Sequence, residues 1–150
     1  MSPATIAPTQ TLVVTRNYPA PIERVYAAWT DASQLSQWFG PTDEHTSVAD
    51  IDLRVGGNYR IAVHHVGGNV HTVIGTYQII DPPKKLAFTW NWDGSAAPDT
   101  LVTIDFTAQG NSTDVKVTHE KFLDTDSRDK HNQGWNGGLN RLERYLASVV

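Results

Sequence analysis

The feature that most constrains the fold is one long helical pattern at the carboxyl end of the chain, over residues 128–150. Its apolar side chains recur at steps of four and three residues, which places them on one side of an α-helix. They are Trp135, Leu139, Leu142, Leu146 and Val149. Asp126 or Ser127 is in position to cap the start of this helix.

Three glycines lie in the first half of this pattern, Gly134, Gly137 and Gly138. Each costs a helix interior about 1 kcal/mol relative to alanine. A helix that carries them is stabilised by the surface on which it packs rather than by its own propensity. The glycines either mark a close approach of another group or belong to a frayed, bent first turn without a ligand.

Most of the chain before this helix has the alternating, β-branched texture of short strands separated by turns. The pattern predicts strands over residues 11–18, 48–53, 59–66, 70–80, 86–92, 100–107 and 113–119. Gly75 is the predicted place for a bend in the long fourth strand. After the first strand, Pro21 opens one short helix, and Asp31 or Ser33 caps a second.

This order of elements predicts an α+β fold. Short connections among the later strands require an antiparallel meander, so we expect a seven-stranded antiparallel sheet curved around the long C-terminal helix. Two short helices follow strand 1. One sheet face is apolar, and the helix is its expected cover. We expect residues 1–10 to be a flexible N-terminal tail and residues 11–150 to be a single domain.

Charge and composition exclude several classes of partner and chemistry. The formal net charge is −4 without a run of like charges, which argues against nucleic acid and membrane as partners. The absence of cysteine excludes disulfides, thiolate catalysis and cysteine-ligated zinc. The N-terminus lacks the basic start and apolar run of a signal peptide, and no segment is apolar enough for a transmembrane helix. We therefore expect a cytoplasmic protein.

A sheet that grips a long helix often keeps a cavity between the two, and the apolar face provides its lining. The predicted ligand-binding residues are Trp38, Phe39, Tyr59, Tyr77, Phe88, Trp90, Phe106, His119, His131, Trp135 and Leu139. Taken singly, each is better explained as plain core. The bulk of the indoles favours a cavity, because each carries an N–H that needs a partner when buried.

His119 and His131 are the candidate polar groups. Each is either a neutral buried histidine bonded to a neighbour, or a polar anchor or acid–base group inside a pocket. His64 and His65 are adjacent and point to opposite faces of a strand, and no HxH or HExxH spacing occurs. We therefore expect no metal and no cofactor. No GxSxG motif supports nucleophilic catalysis, and the catalytic residues stay unassigned.

Several short motifs occur in an order that resembles one known family. They lie at residues 16–23 (RNYPAPIE), 25–29 (VYAAW), 38–41 (WFGP), 56–60 (GGNYR), 75–77 (GTY), 118–120 (THE) and 131–135 (HNQGW). Together they resemble the bacterial branch of the heat-shock protein 90 ATPase activator homologues. That branch belongs to the START-like, birch-allergen-like superfamily, which includes polyketide cyclases. The resemblance extends over about residues 11–146.

The resemblance implies a helix-grip fold with an interior cavity for a small hydrophobic or aromatic molecule. The first functional hypothesis is therefore a binding module for such a ligand. The alternatives are a polyketide cyclase/dehydratase-like enzyme with a pocket His or Tyr as acid–base group, and a chaperone-associated interaction domain. The eukaryotic activator uses an extra N-terminal domain that this sequence lacks, so we do not expect a chaperone interaction. A homodimer is left open.

Overall fold

The computed structural model describes residues 10–148, which form seven strands and three helices. The strands are β1 Gln10–Tyr18, β2 His45–Ile51, β3 Asn58–His65, β4 Val70–Asp81, β5 Lys85–Trp92, β6 Thr100–Gln109 and β7 Ser112–Phe122. The helices are α1 Ile22–Thr30, α2 Ala32–Trp38 and α3 Thr125–Ser148. Residues 1–9 of the predicted tail, and Val149, lie outside the described residues.

The strands form one antiparallel sheet in the order β1-β7-β6-β5-β4-β3-β2. Strands β2 to β7 are the predicted meander, and β1 joins it beside β7. The chain therefore passes from one edge of the sheet to the other between β1 and β2, and α1 and α2 occupy that passage. The predicted α+β class, the seven-stranded antiparallel sheet and the two short helices after strand 1 are confirmed.

One face of the sheet is buried, and α3 lies against it. Val102, Ile104 and Phe106 alternate along β6 and are all buried. On α3, the spacing prediction is confirmed over the described residues, because Trp135, Leu139, Leu142 and Leu146 are buried. Burial of each such apolar side chain contributes about 1.5–3 kcal/mol, which holds this glycine-containing helix in place.

The cap of α3 differs from the prediction. The carboxylate of Asp124 accepts a hydrogen bond from the backbone N–H of Ser127 at 2.7 Å, so Asp124, rather than Asp126 or Ser127, caps the helix. The helix begins at Thr125, and Asp126 lies in its first turn. Asp124 satisfies a backbone donor that would otherwise lack a partner at the helix start. The apolar periodicity, which predicts a helix from residue 128, does not include residues 125–127, because these residues are mostly exposed.

The bend in β4 also differs from the prediction. The register between β4 and β5 shifts between Tyr77 and Ile79, not at Gly75. Gly75 instead makes room for a neighbour, because a Cβ atom there would meet the ring of Tyr59 at 2.5 Å and the carbonyl oxygen of Thr89.

The three glycines of α3 have different surroundings. A Cβ atom on Gly137 would overlap the backbone carbonyl of Pro41, so the segment after α2 approaches the helix at this point. A Cβ atom on Gly138 would lie 3.4 Å from the carbonyl oxygen of Gly40. Gly134 faces open space, because apart from its chain neighbours and the backbone of its own helix no atom lies within 4 Å of its Cβ position. The close-approach prediction is thus confirmed for Gly137.

Gly137 and Gly134 give a matched pair of substitutions. Gly137→Ala should lower the free energy of unfolding because Pro41 must move, whereas Gly134→Ala should raise it by up to about 1 kcal/mol through helix propensity alone. Urea unfolding of both variants and the parent protein measures the difference. Equal effects of the two substitutions would contradict the close packing of Pro41 on α3.

Candidate ligand pocket

A pocket of about 460 Å³ lies between β5, the first half of α3 and the segment that follows α2. Its walls are aromatic and consist mainly of Trp38, Phe39, Trp90, Trp92 and Trp135. Six polar side chains also line it: Thr42, His45, His71, Lys130, His131 and Gln133. The volume and the apolar walls are typical of sites for small organic molecules.

The structure divides the predicted ligand-binding residues into three groups. Trp38, Phe39, Trp90, His131 and Trp135 line the pocket. Tyr59, Tyr77 and Phe88 line a smaller space of about 20 Å³, the inner void, together with Trp29, Leu35, Phe39, Ile61 and Trp90. Phe106, His119 and Leu139 line neither space and are buried at 3%, 0% and 1% exposure.

All five tryptophans of the chain form one connected set of rings, the tryptophan cluster. Trp29 packs on Trp38 with ring centroids 4.7 Å apart and on Trp135 at 6.0 Å. Trp90 then contacts Trp135 at 5.3 Å and Trp92 at 5.8 Å. Aromatic pairs of this kind contribute about 0.5–1.5 kcal/mol each beyond their buried area. The cluster joins α1, α2, β5 and α3 around the pocket.

Two members of this cluster were not among the predicted site residues. Trp29 belongs to the predicted apolar face of α1, but nothing in its spacing shows that it reaches Trp135 or the inner void. Trp92 lies at the end of β5 and is 37% exposed. The alternation Leu86, Phe88, Trp90 and Trp92 is the one sequence signal that places Trp92 on the same sheet face as Trp90.

His119 is the centre of a buried hydrogen-bond chain between α3 and the sheet. The indole N–H of Trp135 donates to His119 Nδ1 at 3.0 Å, which makes Nδ1 the unprotonated nitrogen. Nε2 of the neutral ring then donates to the hydroxyl of Thr100 at 2.6 Å, and that hydroxyl donates to the carbonyl oxygen of Trp90 at 3.1 Å. Both ring nitrogens are satisfied by the protein itself.

Burial keeps this imidazole neutral. It lowers the pKa of His119 from its ordinary 6.5 to about 2, and the neighbouring His131 adds to the shift. Protonation would also remove the acceptor that Trp135 needs, because both nitrogens of a charged imidazole are donors. His119 is therefore a neutral positioning group beneath the pocket, which is the first of the two interpretations drawn from the sequence.

His131 lies in the pocket wall in the opposite tautomer. Its Nδ1 donates to the backbone carbonyl of Ser127 at 2.7 Å, which leaves Nε2 to accept from the indole N–H of Trp92 at 3.2 Å. Burial lowers the pKa of His131, and the hydrogen bond to Ser127 opposes that shift in part. At neutral pH this ring is uncharged and orients Trp92 at the edge of the pocket.

The predicted tyrosines are neutral phenols near the inner void. The hydroxyl of Tyr59 donates to the carbonyl oxygen of Thr89 at 2.6 Å, and burial raises its pKa well above 10.0. Burial likewise raises the pKa of Tyr77. Neither phenol ionises in the range in which a general base works, because both pKa values lie above the ordinary tyrosine value.

Charged groups are confined to the rim of the pocket. Lys130 pairs with Asp126 one helical turn away at 3.1 Å. The ring of His45 accepts from or donates to the hydroxyl of Thr42 at 2.8 Å, and burial lowers its pKa.

Among residues 10–148, no three His, Asp or Glu side chains are grouped as a metal site would need. In the same part of the chain no helix has the length and apolar character to span a bilayer.

A seven-stranded antiparallel sheet that packs on a long C-terminal helix defines a helix-grip protein. A family model described as activator of Hsp90 ATPase homolog 1-like protein matches residues 19–147. The chain therefore belongs to this family, which confirms the resemblance read from its motifs. No curated protein matches the chain significantly in sequence.

Solved structures of bacterial proteins have the same fold. Protein CV1439 from Chromobacterium violaceum is 27% identical, with a TM-score of 0.79 over 89% of this chain and 94% of its own. The AHSA1 protein from Silicibacter pomeroyi is 23% identical, with a TM-score of 0.81 over 92% and 98%. CalU16 from Micromonospora echinospora is 23% identical, with a TM-score of 0.72 over 92% and 76%.

The hydrogen bond between Trp135 and His119 predicts that a Trp→Phe substitution lowers the free energy of unfolding more at position 135 than at position 90. Trp135→Phe leaves His119 Nδ1 buried without a donor, which should cost about 1–3 kcal/mol beyond the smaller ring. Trp90→Phe removes an indole N–H that has no partner among residues 10–148, and so serves as the matched control. Chemical unfolding of both variants measures the difference. A Trp90→Phe loss as large as that of Trp135→Phe would contradict the assigned bond.

The low pKa of His119 predicts how stability depends on pH. Below pH 6.5 the unfolded chain takes up a proton at this residue, whereas the folded chain does not until about pH 2. Stability should therefore be complete above that range and fall with pH by up to about 1.4 kcal/mol per unit from this residue. His119→Gln should flatten the curve between about pH 7 and about pH 5. Parallel curves for the two proteins would contradict a buried neutral His119.

Proposed function

We propose that this protein binds a small, hydrophobic and largely aromatic molecule in the 460 Å³ pocket. The observation that carries the proposal is the aromatic wall formed by the tryptophan cluster beside open space of that volume. Flat aromatic ligands stack or pack edge-on against indole rings, and removal of apolar area from water provides the binding free energy. His45 and Lys130, at the rim, provide the polar contacts at the solvent side.

The contacts of the predicted acid–base residues favour binding over catalysis. A general base needs an unshared electron pair within reach of the substrate proton. In His131 the unprotonated nitrogen already accepts from Trp92, and in His119 it accepts from Trp135. Tyr59 uses its proton in the bond to Thr89. The fold class also includes polyketide cyclase-like members, so turnover of a polyketide-like substrate is the alternative. Because these groups are already engaged in hydrogen bonds, we propose a carrier or receptor role instead.

Gly134 provides a way to block the pocket without disturbing the core. It lines the pocket and its Cβ position faces open space, so a phenyl ring at this position would occupy ligand volume. Gly134→Phe should abolish binding of apolar aromatic probes, and Gly134→Ala should retain it. Both substitutions remove a helix glycine, so they form a matched pair.

The test is a thermal-shift and equilibrium titration with flavonoids and aromatic polyketides, with a fluorescent apolar dye for displacement. A ligand at about 100 times its Kd stabilises the folded state by about 2.7 kcal/mol. We expect the probes to raise the Tm of the parent protein and of Gly134→Ala, and to leave the Tm of Gly134→Phe unchanged. An equal response of Gly134→Phe would place the binding site elsewhere. Chemical conversion of a bound probe would favour the enzyme alternative.

A further inference from the structure

We infer that Arg141 is a positioning residue of the pocket, and that its guanidinium holds one pocket wall in the place where a ligand binds. This wall is the segment of residues 39–45, which leads from α2 into β2 and is called the strap below. The inference rests on the proposed function, because it concerns the affinity of the same pocket. It assigns to Arg141 an effect on the ligand although the residue lies outside the pocket lining.

The strap forms one side of the pocket. Five of its residues line the pocket: Phe39, Gly40, Pro41, Thr42 and His45. The ring of Phe39 reaches the opposite walls, with centroids 6.0 Å from Trp90 and 6.4 Å from Trp135. In the described part of the chain, residues 40–43 form no backbone hydrogen bond with a residue outside the strap. Regular secondary structure therefore does not fix this wall, and side-chain contacts must do so.

Arg141, on α3, bonds both ends of the strap. Its Nη1 donates to the carbonyl oxygen of Phe39 at 3.0 Å, and its Nη2 donates to the carbonyl oxygen of His45 at 3.2 Å. Its Nε lies 3.5 Å from the carboxylate of Asp43, between these two ends, and the Arg141 side chain is only 12% exposed. A planar guanidinium with five N–H donors can reach these three acceptors at once, which the point charge of a lysine would not reproduce.

Glycines on both elements make room for this contact. Gly40 has a φ of +128°, which favours glycine, and a Cβ atom there would lie 2.7 Å from Arg141 Nη1. Gly137 and Gly138 precede Arg141 by four and three residues, so all three lie on one side of α3. A Cβ atom on Gly137 would overlap the carbonyl of Pro41. The glycines thus let the strap approach α3, and Arg141 bonds it there.

A strap that moves away from α3 would lower the affinity of the pocket without a change in the residues that touch the ligand. When only a fraction of the molecules holds the wall in place, the apparent Kd rises by the inverse of that fraction. Phe39 keeps a second donor, because its carbonyl also accepts from Ser47 Oγ at 2.6 Å. Loss of Arg141 should therefore release the strap beyond Phe39 rather than unfold the chain.

The test compares Arg141→Met with Arg144→Met in titrations with fluorene. Both arginines lie on α3 and face Asp43, but Arg144 is 61% exposed and, among residues 10–148, forms hydrogen bonds only to that carboxylate. We expect Arg141→Met to raise the Kd about tenfold, as it would if about a tenth of the molecules kept the strap in place. Arg144→Met should change the Kd by less than about twofold, because exposed ion pairs contribute little.

Hydrogen exchange separates a positioning role from a general loss of stability. In Arg141→Met the amides of the strap should exchange faster than in the parent protein, and bound fluorene should slow them again. The amides of β6 and β7 should exchange as in the parent protein, because the sheet keeps its own contacts. Faster exchange spread evenly over strap and sheet would make Arg141 a purely structural residue and overturn the inference.

Gly137→Ala displaces the same strap by a different route, and it keeps the test decisive even where Arg141→Met does not fold. It should also weaken fluorene binding, and the double variant should lose less than the sum of both effects, because both act on one element. Parent-like fluorene affinity in Arg141→Met or in Gly137→Ala overturns the inference and leaves the pocket proposal standing. Failure of the parent protein to bind fluorene or any other aromatic probe contradicts both together.

Discussion

The hydrogen bond from the indole N–H of Trp135 to Nδ1 of His119 is the interaction on which the site depends. It ties α3 to β7, and through Thr100 it continues to the backbone of Trp90 in β5. Because Trp135 and Trp90 both line the pocket, the chain that fixes the helix on the sheet also fixes the pocket walls. A fully satisfied buried network of this kind is rigid, and a partly broken one is costly.

Small residues on α3 provide the second constraint. Gly137 lets the backbone of Pro41 touch the helix, and the same segment carries Phe39, which lines both the pocket and the inner void. Among residues 10–148, the buried indole N–H groups of Trp29 and Trp90 have no acceptor, whereas those of Trp38, Trp92 and Trp135 each have one.

Much of the fold could be predicted from local patterns. The period of α3 and the alternation in β5 and β6 each record which side of an element is buried, and turn residues separate the strands. The division of the aromatic residues into pocket wall and core could not be predicted in this way. Trp90 and Phe106 alternate alike on neighbouring strands, yet one lines the pocket and the other lies beneath α1. That difference depends on the cross-strand register and on where Phe39 and Pro41 contact α3, which no local period encodes.

The most direct test of this account is an NMR titration of the five indole N–H signals with fluorene. In the parent protein, signals from Trp90, Trp92 and Trp135 should move as the ring current of the probe reaches the pocket walls, and the Trp135 signal should keep the downfield position of a hydrogen-bonded donor. The same signals in Gly134→Phe should not respond. Indole signals that stay fixed in the parent while amides elsewhere move would contradict a ligand site at the tryptophan cluster.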